Sequence, residues 1–348
     1  MINTALLAEI CKVAGAPGHE QKVREIVLRE VESLVDEIRI DNMGNVVALK
    51  KGRESRRVMI GAHMDEIGFI VTHIDDKGFV YFHTLGGFDP KTLTAQRVII
   101  HGKEDVVGVM GGKPIHLMNA SDRLKVPTIK DYFIDTGRSK EDLETIVSVG
   151  DTITRSSELI EMGDCINCKS LDNRVSVFIL IEMFREMKAI PPYDVYGVFT
   201  VQEEIGIRGA NVSSMDINPD FGFGLDTTIA WDTPGSTKQE QVSALGEGAC
   251  IKVMDSATVC DYRMVKYMKE LAKNKKLKTQ LEILPAGGTD TAGIQRMNPG
   301  GCIAGAVSIP TRHIHQSIEM VHKEDVRGAI DLLLHSVENL HTYDWSFR

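Results

Sequence analysis

Val58-Met59-Ile60-Gly61-Ala62 runs straight into His63-Met64-Asp65-Glu66, and the fold turns on how that stretch is read. A short apolar run ended by a histidine and two carboxylates reads as a buried strand with metal-type side chains at its carboxyl end. The pattern recurs along the chain. Val198-Phe199-Thr200-Val201-Gln202 leads into Glu203-Glu204, residues 221–225 lead into Asp226, and residues 301–309 are followed by Arg312-His313-Ile314-His315. A further acidic residue, Asp172, opens an apolar helix at Lys169-Ser170-Leu171-Asp172-Asn173-Arg174. Open α/β folds collect their functional groups beyond the carboxyl ends of strands, so these segments point to one α/β sheet and one site.

The surrounding chain has the matching texture. Val23, Ile26, Val27, Val31, Leu34 and Val35 recur at helical spacing before β-branched runs at 45–50 and 57–62. From 68 to 163 the pattern is different: short strand-like pieces at 69–74, 79–83, 97–101, 106–110, 132–135 and 145–149, separated by Gly, Asp and Pro clusters. Such spacing suggests a small β barrel or sandwich. After 164, strands and helices alternate again, with helices expected at 171–187, 261–273, 289–297 and 323–340. The organisation read from this is a mixed α/β sheet covered by helices, built from residues 1–67 and 164–348, with a β-rich domain at 68–163 inserted into it.

Composition narrows the function classes. The 348 residues include 49 acidic and 40 basic side chains, for a net charge of −9; roughly 150 residues per domain suggests two domains. With 43% hydrophobic and 26% charged residues the chain is not disordered, and its acidity argues against nucleic acid as a partner. No apolar run approaches the ~20 residues of a membrane helix. The N-terminal stretch lacks a basic start and carries Glu9, unlike a signal peptide. Six cysteines in this length make no disulfide framework, so a cytoplasmic location is expected. Cys165-Ile166-Asn167-Cys168 has no second pair to complete a zinc ribbon and reads as incidental.

Taken singly, a carboxylate at a strand end is ordinarily a turn residue, and Asp172 is most simply a helix cap. Two histidine clusters and four acidic sites converging on element ends are another matter. Imidazole with carboxylate suits zinc, cobalt or manganese, and a shared carboxylate can bridge two ions, as in aminopeptidases. In this reading His63 and His315 give one nitrogen to each ion, Asp226 and Glu204 give terminal oxygens, and Asp172 is the bridge. Asp65 lies two residues after His63 and could hold its far ring nitrogen. Glu203 is left over. Adjacent glutamates on a regular strand face opposite ways, so Glu203 and Glu204 share a site only where the pleat breaks, one binding metal and the other accepting a proton.

Six segments in fixed order carry a resemblance. They are Gly61-Ala62-His63-Met64-Asp65-Glu66-Ile67-Gly68, Lys169 to Arg174, Gln202-Glu203-Glu204-Ile205-Gly206, Gly224-Leu225-Asp226, Gly287-Gly288-Thr289-Asp290 and Arg312 to His315. The chain resembles the glutamyl aminopeptidase, or TET aminopeptidase, family of dinuclear metallopeptidases over essentially its whole length. The resemblance implies a catalytic α/β domain interrupted by a PDZ-like β domain, the metal roles just given, and Glu203 as general base. It also implies a substrate-side loop at Gly287–Asp290 and large homo-oligomers, often dodecamers, so the inserted domain is expected to serve assembly or access. The family commonly has an aromatic residue where His313 stands; matching by motif puts the ligand at His315, with His313 as the alternative. The expected activity is metal-dependent removal of N-terminal residues from short peptides, with zinc or cobalt, or else manganese, as the metal. A di-metal deacylase or carboxypeptidase and a non-catalytic peptide-binding scaffold are the competing expectations.

Overall fold

The computed structural model describes residues 2–347. Tyr193–Thr200, Glu54–His63, Phe221–Ile229 and Ile303–Arg312 lie side by side and parallel at the heart of an 11-stranded sheet. Antiparallel strands flank them: Val46–Lys50 and Glu37–Ile40 on one side, and Glu319–His322, Cys165–Cys168 and Ile160–Met162 on the other. Ala249–Met254 pairs antiparallel with Ile303–Arg312 and carries Thr279–Ile283 as a parallel neighbour. Because the four central strands run the same way, their carboxyl ends open on one edge.

Alternation along the central strands feeds two cores. Val58, Ile60 and Ala62 pack with Leu7, Val23, Phe178, Met264 and Leu333, which come from helices Thr4–Lys12, Gln21–Val31, Leu171–Glu186, Tyr262–Lys275 and Lys323–Asn339. Met59 and Val198 pack the other way, against Ile217 and Ile294 of helices Arg208–Ile217 and Asp290–Arg296. Gly224 is held to a hydrogen by this second layer, since a Cβ there would collide with the Thr291 hydroxyl. Among the described residues no helix is long and apolar enough to cross a membrane.

Six antiparallel strands between Gly68 and Arg155 close into a barrel, in the order Gly68–Ile74, Val80–Leu85, Tyr132–Asp135, Asp105–Gly112, Arg97–His101, Thr152–Arg155. Phe69, Val80, Val98, Ile100, Ile134 and Ile153 fill it. The mixed sheet and the barrel are both as the sequence suggested; several details differ. The piece at 145–149 is no strand. Helix Lys140–Leu143 precedes it, Asp151 accepts the Ser148 N–H at 2.8 Å, and Gly150 sits at φ +99°, so the chain turns there and pairs only from Thr152. Ile160–Met162 already belongs to the large sheet, ahead of the return expected at 164. Asp226 lies inside its strand, not beyond its end. Helix Arg208–Ile217 was not foreseen, because Ala210, Ser213 and Ser214 make up most of its buried side.

Candidate metal centre

His63 ends its strand almost wholly buried, with Nε2 3.4 Å from Asp172 Oδ1, 3.7 Å from Asp226 Oδ1 and 3.8 Å from Glu203 Oε2. On the other side, His315 Nε2 is 3.4 Å from both Asp172 Oδ2 and Glu204 Oε2. Asp172 therefore turns one carboxylate oxygen toward each histidine. Chosen ligand atoms of His63, Asp172 and Glu204 all lie within 4.8 Å of one another. His313 is exposed and lines the cavity, but takes part in none of these contacts.

The backbone makes this convergence by leaving regular structure. Gln202 (φ +57°) follows the end of its strand in the left-handed region, so Glu203 and Glu204 both reach the cavity. His313 and His315 are left-handed as well, at φ +60° and +62°. Asp172 and Asn173 depart from helical φ/ψ at the start of helix Leu171–Glu186 and are joined by a cis peptide bond. Asp65 holds the first of these turns and the His63 ring. The Asp65 carboxylate accepts the Glu203 N–H at 3.0 Å and the Glu204 N–H at 3.1 Å. His63 Nδ1 is 3.1 Å from the Asp65 carbonyl and 3.3 Å from its carboxylate. Glu66 ties the first motif to the second, lying 2.7 Å from Lys169 Nζ and 3.3 Å from an Arg174 nitrogen, all three buried.

A family model described as M42 glutamyl aminopeptidase matches residues 44–332. The chain belongs to this family. It is 32% identical over 354 residues to the lysyl aminopeptidase of Pyrococcus furiosus, covering 99% of this chain and 100% of that one. A TET aminopeptidase from Thaumarchaeota archaeon SCGC AB-539-E09 superposes with a TM-score of 0.94 at 33% identity, over 97% of this chain and 96% of the other. The Pyrococcus horikoshii TET1 peptidase, described as able to assemble into a tetrahedron or a large octahedral shell, superposes with a TM-score of 0.86 at 27% identity, over 96% and 98%. M42 aminopeptidases are peptide hydrolases and, as a family, metal-dependent.

In this M42 aminopeptidase the donors fit divalent cations. Burial and neighbouring carboxylates hold Glu204 well above the usual carboxylate range, and its Oε1 is buried without a hydrogen-bond partner. Glu203 is likewise pushed well up, by burial and then by Asp226, Glu204 and Asp290 against the pull of His63. For Asp172 burial is outweighed by the two histidines, which draw its pKa down. Burial disfavours charge on His63, yet Asp226, Asp172 and Asp65 raise it well above the ordinary imidazole value. Crowded carboxylates with an unmet acceptor and two imidazoles suit zinc, cobalt or manganese.

Two contributors escaped the sequence reading. Glu319 accepts the Asp172 N–H through Oε2 and the His315 N–H through Oε1, each at 2.9 Å. Arg155, the last residue of the barrel's closing strand, donates to the His315 carbonyl at 2.9 Å while only 1% exposed. Glu319 begins a short strand four residues after His315 and carries no motif; Arg155 ends a four-residue strand to which the sequence reading assigns nothing. Gly287, Gly288 and Thr289 line the cavity, whereas Asp290 is buried behind it and accepts the Thr200 hydroxyl. Cys165 and Cys168 are free thiols.

Proposed function

We propose that this chain is a two-metal aminopeptidase that removes N-terminal residues from short peptides. One observation carries the reading: Asp172 faces His63 with one oxygen and His315 with the other, at 3.4 Å each. His63 and Asp226 would hold one ion, His315 and Glu204 the other, and Asp172 would serve both. Bound divalent ions would acidify a water and polarise the scissile carbonyl. Asp65 orients the His63 ring and keeps the Glu203–Glu204 turn in place through two backbone bonds. Glu203 is the carboxylate left free of ligand duty. Burial, first of all, raises its proton affinity; as general base it would accept a proton from water and return it to the leaving amine.

The same reading assigns 1–67 and 164–348 to catalysis and 68–163 to assembly, the junction moving to about 156–159 because Ile160–Met162 pairs with the large sheet. Ile115, Leu117, Leu124 and Val126 form an exposed apolar segment on the barrel unit, Leu124 being 87% exposed. Large exposed apolar side chains grouped in one stretch of chain make it a candidate contact site. A closed homo-oligomer, a dodecamer by analogy with the TET relatives, is the assembly this supports.

The test is hydrolysis of aminoacyl chromophores by chelator-stripped protein and by protein reloaded with zinc, cobalt or manganese. Free α-amino substrates should be cut only after reloading, and their N-acetylated forms not at all. Full turnover in the stripped sample, or preference for the blocked substrates, would refute the proposal.

A further inference from the structure

The cavity beside the cluster has a volume of about 670 Å³, room for an amino-acid side chain and the start of a peptide. Beyond the metal-type residues, its charged lining groups are already matched inside the protein. Lys252 Nζ lies 2.9 Å from Asp255 Oδ2 and 3.3 Å from Glu282 Oε1, all three buried. Glu282 and Asp255 more than offset the burial of Lys252 and keep its ammonium charged. Arg312 grips Asp232 through two bonds of 2.6 Å. His313 is exposed, so water hydrates its ring. What remains is largely apolar wall: Ile229, Trp231, Leu284 and Ile314, with threonine hydroxyls between.

Resting on the aminopeptidase reading above, we propose that this chain selects peptides whose first residue carries an uncharged, apolar side chain. It should discriminate against Asp, Glu, Lys and Arg at that position. A carboxylate entering the cavity would shed hydration and find Lys252 and Arg312 both occupied. An ammonium would meet Asp255, already paired with Lys252, while Asp232 lies outside the lining and is held by Arg312. Either ion stays buried without a partner or breaks a formed pair, and both are unfavourable. A leucine- or methionine-sized side chain meets neither obstacle and gains by leaving water. The preference would set this chain apart from relatives whose names specify glutamyl or lysyl substrates.

The experiment measures kcat/KM for the Leu, Met, Glu and Lys p-nitroanilides with full-length, metal-reloaded protein at fixed pH and ionic strength. Leu and Met should exceed Glu and Lys at least about tenfold, the factor set by ~1.4 kcal/mol. Hydrolysis with Glu or Lys equal to or above Leu overturns the specificity alone, leaving the aminopeptidase reading intact. No hydrolysis of any anilide overturns both. A second arm uses Ile229→Glu, at a half-exposed wall position that tolerates a charge. A free carboxylate there should raise Lys relative to Leu by about tenfold or more; an unchanged ranking would show that the side chain is not read by this wall.

Discussion

Glu319→Gln tests how the centre is built. In the native chain both Glu319 oxygens are used, one on the Asp172 N–H and one on the His315 N–H, at 2.9 Å each. The amide keeps the size but offers one acceptor, so its NH₂ must face one of the two backbone donors. Burial, then Asp172, pushes Glu319 up to about 8, so no charge-assisted strength is counted; the lost bond leaves one buried N–H unmet, at about 1–3 kcal/mol. The turns that place Asp172 and His315 share the penalty, so only part of it appears as metal affinity. Carboxylates behind metal ligands typically alter affinity 10- to 100-fold, and that is the expected range. The ion between His315 and Glu204 should be lost first, since His63 and Asp226 do not depend on Glu319. Metal content, measured by emission spectroscopy after equilibration with graded chelator, should fall from two ions to one at a chelator level that leaves the wild type full. Two ions held with wild-type affinity would refute the clamp. So would an unchanged affinity combined with a lower melting temperature of the metal-free protein, because Glu319 would then serve the fold only.

Four further outcomes follow from the same geometry. Glu203→Gln should lower kcat by about 10²–10⁴-fold with metal content unchanged, while Glu204→Gln should lose metal and be partly rescued by excess; the reverse pattern in the metal assay would swap their roles. Asp172→Ala should lose both ions and Asp226→Ala chiefly one, as metal analysis of the two proteins would reveal. Leu117→Asp with Leu124→Asp should give a smaller particle by light scattering with folding intact; an unchanged mass would free this segment of any part in assembly. Burial, then the Asp65 carboxylate, pushes Glu20 up to about 7, above the ~4.3 of an unfolded chain. Its stabilising contribution is therefore full below ~4.3 and lost as pH rises through 7. Glu20→Gln keeps the acceptor for the Gly18 and Gln202 N–H groups; its melting temperature should match the wild type at about pH 4, begin to exceed it between there and 7, and exceed it most at pH 8.

The central strands were legible because their residues satisfy two demands at once. Val58 to Ala62 must be apolar to lie between two helix layers, and the run ends where His63 meets the cavity. Ligand-type residues announce themselves by interrupting such runs. The residues behind them do not. Glu319 works through its carboxylate on backbone amides, and those amides can belong to any residue, so no pattern of side chains reveals the partner. The 145–149 error has a similar cause. Val147 and Val149 look like alternating strand residues, but only Val147 is buried, and Asp151 with Gly150 makes the turn.

Two acidic clamps explain how four donors at strand ends and turns can hold one geometry, while Asp226 is fixed inside its own strand. Asp65 joins the His63 strand end to the 203–204 turn; Glu319 joins the Asp172 turn to the His315 turn. Each reaches past the last ladder pair of adjacent strands, Asp65 beyond His63–Thr200 and Glu319 beyond its own pairing with Cys168, and each leaves the ligand side chains free to face inward. Among the described residues, it is the second clamp that a barrel side chain touches. Arg155 brings its positive charge toward Glu319 and Asp172 while its Nη1 holds the His315 carbonyl. A displacement of the barrel against the large sheet would pull on His315 through Arg155, whereas the Asp65 bonds to the 203–204 turn lie within the α/β unit. Of the two halves of the centre, the one beside His315 is thus the half whose metal affinity should respond to what the barrel touches.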